Sequence, residues 1–166
     1  MKQKRIAGMT LMELLCALAV VLLVSAGMVL GVSLAVRSYE RSVTNSEAQV
    51  LCSTLQTIVN DELRYAGTLE YEDGKVVGFF SQEHPNADSK YSRFTTDSDG
   101  RVLLGGQKLL PNNAYPHGLR AAVALTDYDK ATRIFTAVVT VTDRSGDTLA
   151  QTEFQVKQLN EPAEQT

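Results

Sequence analysis

Few residues in this chain have the type and spacing to do chemistry, and Glu13 stands out among them. It is the single charge between Met9 and Val36, and no Lys, Arg, Asp or Glu interrupts Leu14 to Val36. A carboxylate at the edge of such a run is costly unless it reaches the membrane interface or a positive partner, and such groups are usually functional. Solvation at the headgroup level accounts for Glu13 taken alone. It does not account for the small basic stretch before it, Lys2-Gln3-Lys4-Arg5-Ile6-Ala7-Gly8. The other candidates are weaker. His84 and His117 fall in separate loops, without His-xxx-His or Cys-xx-Cys spacing for zinc, and read as surface histidines. Asp97-Ser98-Asp99-Gly100 begins like a calcium loop but lacks the acidic residue at its far end, so it reads as a turn. There is no Gly-x-Ser-x-Gly, phosphate loop or dinucleotide fingerprint. No enzyme, metal or other cofactor is expected. Arg93, Arg101, Lys108 and Arg120 lack interleaved aromatics and read as a solvated face rather than a nucleic-acid site.

The elements that must position Glu13 are helical. Met9 to Val36 is 28 residues, and at about 1.5 Å per residue it spans ~42 Å, more than the ~30 Å of membrane hydrocarbon. A transmembrane helix over 9–36 follows. Within it Gly27, Gly31 and Ala35 recur at four-residue spacing, which lets another helix approach closely, although glycine is also common in membrane helices without that role. From Arg37 the pattern turns amphipathic without a break. Val43, Val50, Leu51, Leu55, Ile58, Val59, Leu63 and Ala66 recur at helical spacing. No Pro or Gly occurs from Ser33 to Ala66. The pattern predicts one helix from about Thr10 to Ala66, stopped by Gly67.

After Gly67 the period becomes two. Thr68–Tyr71 and Val76–Phe80 flank Glu72-Asp73-Gly74-Lys75, a hairpin signal. Arg93–Thr96 and Arg101–Leu104 flank the Asp97–Gly100 turn, and Gly105-Gly106 leads into Gln107–Leu110. Leu119, Ala121, Val123 and Leu125 alternate with polar or small residues. Phe135, Ala137, Val139 and Val141 share one face of Thr132–Thr142, and Thr148–Leu159 follows a turn at Arg144–Asp147. Three long antiparallel strands can bury one face against the 43–66 stripe. The expected fold is α+β: a long N-terminal helix, transmembrane in its first half and amphipathic over 37–66, packed on an antiparallel β head over 67–160. The tail 161–166 reads as disordered.

Composition agrees. Charged residues are 21% and hydrophobic ones 44%, ordinary for one folded domain plus one span. Net charge is −3, and loss of Lys2, Lys4 and Arg5 would make the remainder more acidic, against a general nucleic-acid binder. The basic leader places the N-terminus in the cytoplasm and the head outside, although Arg37 and Arg41 weaken the asymmetry. Cys16 and Cys52, on one helix ~54 Å apart along its axis, cannot pair within the chain. Cys16 reads as a packing residue. Cys52 reads the same way, with a free thiol or an intermolecular link as the alternatives.

Lys4-Arg5-Ile6-Ala7-Gly8 followed by Met9-Thr10-Leu11-Met12-Glu13-Leu14 resembles the processing site of type IV pilins and pseudopilins. The resemblance implies that prepilin peptidase cuts after Gly8, removes leader 1–8 and N-methylates Met9, and that Glu13 is the assembly carboxylate. It covers roughly the first third of the chain. It departs at Met9, where the family most often has Phe, and in lacking the proline many members carry in the helix. It implies a structural subunit of a pilus or secretion pseudopilus. Partners would be other pilin subunits, prepilin peptidase, the inner-membrane assembly machinery and, before assembly, membrane lipid. A head without its own disulfide pair tilts the reading to a minor subunit or pseudopilin. DNA uptake is open by resemblance to competence pilins, but no residue argues for DNA as a partner. The alternative is a single-pass, membrane-anchored extracellular binding domain that never polymerises.

Overall fold

The computed structural model describes residues 10–160. Leader 1–8, with Gly8, and also Met9 and the tail 161–166 lie outside the described residues. One long helix, α1 (Leu11–Arg64), begins the chain, and the chain divides into two compact units after Ser42.

The first unit is helix alone. Leu, Ala and Met are strong helix formers, and no proline interrupts them. α1 stays helical through Gly27 and Gly31. Ser25 and Ser33 donate their hydroxyls to the backbone carbonyls of Val21 and Val29, at 2.7 and 2.9 Å, so neither presents an unpaired donor to an apolar solvent. Every described residue up to Ser42 is exposed. α1 is long and apolar enough here to cross a membrane.

The second unit packs the rest of α1 on antiparallel strands, giving an α+β architecture. The strands are β1 (Leu69–Glu72), β2 (Lys75–Phe79), β3 (Phe94–Thr96), β4 (Val102–Leu104), β5 (Gln107–Lys108), β6 (Arg120–Asp129), β7 (Ile134–Thr142) and β8 (Thr148–Lys157). They form a β1-β2 hairpin, a β3-β4-β5 sheet and a β6-β7-β8 sheet. The hairpin turns at Asp73 and Gly74, both at positive φ (50° and 78°), as a primed turn demands. β7 is the central long strand, and Phe135, Ala137, Val139 and Val141 on its inner face are fully buried. Short 3₁₀ turns at Asn112–Ala114 and Pro116–Gly118 occupy the expected loop before β6.

The buried stripe of α1 is Ala48, Leu51, Cys52, Leu55, Val59 and Leu63. Burying each large aliphatic side chain contributes about 1.5–3 kcal/mol. This corrects one expectation. Val50 is 65% exposed, because at about 100° per residue it lies ~200° around the helix from Ala48. The helix also ends earlier than Gly67. It closes at Arg64, and Gly67 serves a close approach instead: a Cβ there would sit 3.0 Å from Phe80 Cδ1. The end of α1 is tied down by the residues that follow β8. The Gln158 side-chain amide, fully buried, donates to the carbonyls of Ala66 and Gly67 at 2.9 Å and accepts from Tyr128 OH at 2.8 Å. Asn160 donates to the Tyr65 carbonyl at 2.7 Å.

Candidate functional site

Glu13 sits in the first turn of α1, and the local sequence explains how it is held. Thr10 and Glu13 form a capping box. The Thr10 hydroxyl accepts from the Glu13 N–H at 3.3 Å, and Glu13 Oε2 accepts from the Thr10 N–H at 3.0 Å and the Thr10 hydroxyl at 3.1 Å. These bonds satisfy donors that a helix start leaves without partners. The signal, Thr-x-x-Glu ahead of an apolar run, stands in the sequence. Both Thr10 contacts fall on Oε2, which leaves Oε1 for an incoming donor.

Gly27, Gly31 and Ala35 follow along the same helix. A Cβ added at either glycine would meet nothing within 4 Å. Around them Leu22, Leu23, Met28, Val29, Leu30 and Leu34 are all more than half exposed. This surface can pack against lipid or other helices, and nothing of the described chain covers it. Gly8 and Met9, the expected processing residues, lie outside the described residues.

His117 is exposed, as expected, while His84 is half-buried and docks its loop onto a glutamate of α1. His84 Nδ1 lies 2.8 Å from Glu62 Oε1, and His117 Nε2 lies 3.2 Å from Glu47 Oε2. The first pair is the better built. The Glu62 side chain is only 8% exposed. Its Oε2 accepts from the Ser81 hydroxyl at 2.8 Å, the His84 N–H donates to that same hydroxyl at 2.9 Å, and Ser92 holds the His84 carbonyl at 2.6 Å. Ser81 bonds the glutamate and not the imidazole, so this is no nucleophile–base pair. Glu83 joins the group: among the described residues, Glu62, Glu83 and His84 offer donor atoms that all lie within 4.8 Å of one another.

Other candidates resolve structurally. Cys52 is buried against the sheet, with Sγ 3.9 Å from the Val139 carbonyl, and burial pushes its thiol pKa up. It is an inert packing group there; Cys16 is free and exposed. Asp97 accepts from the N–H groups of Arg101 and Asp99, both at 2.9 Å, which closes the turn on itself and lowers its carboxyl pKa. Arg93 pairs with Glu70 at 3.0 Å and Arg101 with Asp99 at 3.1 Å, so half of the sequence's basic group is already neutralised.

Comparison with known proteins adds no relative: no family model, no curated protein and no solved structure matches this chain.

Proposed function

We propose that this chain is a pilin-like filament subunit, made as a membrane precursor, cut after Gly8 and drawn from the membrane into a helical bundle. One observation carries the reading. From Leu11 to Val36 α1 is apolar on every side and uncovered by the other described residues, and its lone charge is a carboxylate fixed in the first turn behind a basic leader ending in glycine. A plain anchor needs the apolar run but neither the glycine nor the carboxylate.

The mechanism follows from charge. The cut creates a positive α-amine at Met9. In an apolar bundle that amine needs a counter-charge, since an unpaired buried ion is very costly. Glu13 of a neighbouring subunit supplies it through Oε1 while Oε2 keeps its own cap. The pair acts as a register device, the helices supply packing, and the head is displayed outside. Cys52 is the single cysteine of the second unit, which supports a minor subunit or a pseudopilin over a disulfide-built major one.

The test is the mass of the native N-terminus together with Glu13→Ala. A mature chain that begins at methylated Met9 supports the reading, and an intact chain beginning at Met1 overturns it in favour of an anchored binding domain. Glu13→Ala leaves cutting and insertion intact but removes the partner of the amine. Breaking such a pair costs about 3–5 kcal/mol, so the variant should fall by two or more orders of magnitude in sheared filaments.

A further inference from the structure

The group around Glu62 belongs to no part of the filament mechanism, and its make-up differs from a surface ion pair. Glu62 is a nearly buried carboxylate with an imidazole on one oxygen and a hydroxyl on the other. Beside it opens a cleft of about 490 Å³ lined by Asp61, Glu62, Tyr65, Ser81, Glu83 and Asn160 among others, with no Lys or Arg in its wall. Three carboxylates therefore face one concavity with no cationic side chain of the wall to balance them. His84 is the only nitrogen donor of the clustered group.

We propose that Glu62, Glu83 and His84 form a binding site for a first-row divalent cation of the zinc type, which clamps the loop after β2 to the last turns of α1. Mixed imidazole and carboxylate ligands suit zinc, whereas calcium and magnesium prefer all-oxygen shells. Ligand atoms about 2.0–2.2 Å from a tetrahedral zinc stand about 3.4 Å from one another. The 2.8 Å separation of His84 Nδ1 and Glu62 Oε1 has to open by a fraction of an ångström. Glu83, exposed and long, moves in from within 4.8 Å. The ion takes the place of the proton shared between Nδ1 and Oε1. That proton goes to Nε2 of the neutral ring, or to solvent from the charged one. The supporting bonds are already in place. Ser81 orients Glu62, and Ser81 and Ser92 fix the His84 backbone at its N–H and carbonyl. Outer partners of this kind hold ligands in position. Glu62 and Glu83 line the cleft, which offers a route of entry.

The expectation of no metal drawn from spacing does not reach this group, because Glu62 precedes His84 by 22 residues on a different element. The test uses the full chain in detergent, stripped with a chelator, with zinc chloride as the probe in calorimetric titration and thermal melting. A single equivalent should bind and raise the melting temperature. Glu83→Gln should weaken binding about tenfold or more while leaving the metal-free melting temperature unchanged, because Glu83 is exposed. His84→Ala should abolish binding, and His117→Ala should leave it intact. The proposal is overturned if wild type shows no binding tighter than about 1 mM. It is equally overturned if Glu83→Gln and His84→Ala both bind as wild type does, or if binding is lost in His117→Ala.

Discussion

Leu22 and Leu55 lie on one helix, yet Leu22 is 61% exposed and Leu55 is fully buried. The difference is not composition, since both stretches are rich in aliphatic residues. It is distribution around the axis. From Leu14 to Val36 apolar side chains face every direction, so a single domain surface could cover only part of them. From Val43 to Ala66 most of them, Val50 excepted, gather on one side, with Glu47, Gln49, Asn60 and Asp61 elsewhere, and residues of all three sheets cover that side. One helix thus carries two designs: a stretch left exposed by the described residues, and a stretch buried against the chain's own head.

The sharpest way to break this contrast is to shorten a leucine in each stretch. Leu55→Ala removes a side chain packed among Leu51, Val139 and Val141 and leaves a cavity; it should cost about 2–5 kcal/mol of head stability. Leu22→Ala should change that stability by less than about 0.5 kcal/mol. The readout is reversible urea unfolding of the detergent-solubilised chain, followed by tyrosine fluorescence, since the chain contains no Trp. Equal losses at the two positions would mean that the first stretch also supports the head.

Both patterns were legible in the sequence because each rests on periodicity. The all-round apolar run, the helical stripe and the period-two alternation of β6, β7 and β8 need only local reading, and Asp73-Gly74 announced its turn. The stripe was blurred at Val50 because an apolar residue off the seam looks the same in a list as one on it. Contacts between distant segments were not legible. Nothing near His84 names Glu62, and nothing near His117 names Glu47; only the packing of loops on α1 joins them. Gln158 is an intermediate case. It stands two residues after Val156, in step with the inward face of β8, so its burial could be read. Its partners, the carbonyls of Ala66 and Gly67, could not.

That residue gives a second way to sharpen the contrast, at the other end of α1. Gln158→Leu keeps the volume but strips the buried Ala66 carbonyl, the part-buried Gly67 carbonyl and the Tyr128 hydroxyl of their partner. Leaving such groups unsatisfied costs about 1–3 kcal/mol. Asn160→Ala removes a neighbouring bond to the Tyr65 carbonyl, but at an exposed site where water can replace it, and should stay within about 0.5 kcal/mol. Comparable urea midpoints for the two variants would show that the buried amide is not what fastens the helix end.

The smallest effect is expected at the start of α1, where it separates two roles of one carboxylate. Glu13 caps its own helix through Thr10, and in the proposed filament it also meets a neighbour's amine. Thr10→Val removes the hydroxyl from the capping box while leaving the Glu13 charge in place. Losing an N-cap side chain costs about 0.5–2 kcal/mol, confined to the first turn. The amide protons of Leu11 to Leu14 should exchange faster in micelles, while the urea midpoint of the head should not move. Filament incorporation is the deciding measurement, made after mass spectrometry has shown that the variant is cut as wild type is. If Glu13 matters as a counter-charge, Thr10→Val should enter filaments nearly as well as wild type, because Oε1 and the charge survive. If Glu13 matters only as a cap, Thr10→Val should lose a clear part of what Glu13→Ala loses, because the hydroxyl bonds go while the backbone N–H of residue 10 still reaches Oε2, and the proposed pairing with the Met9 amine falls.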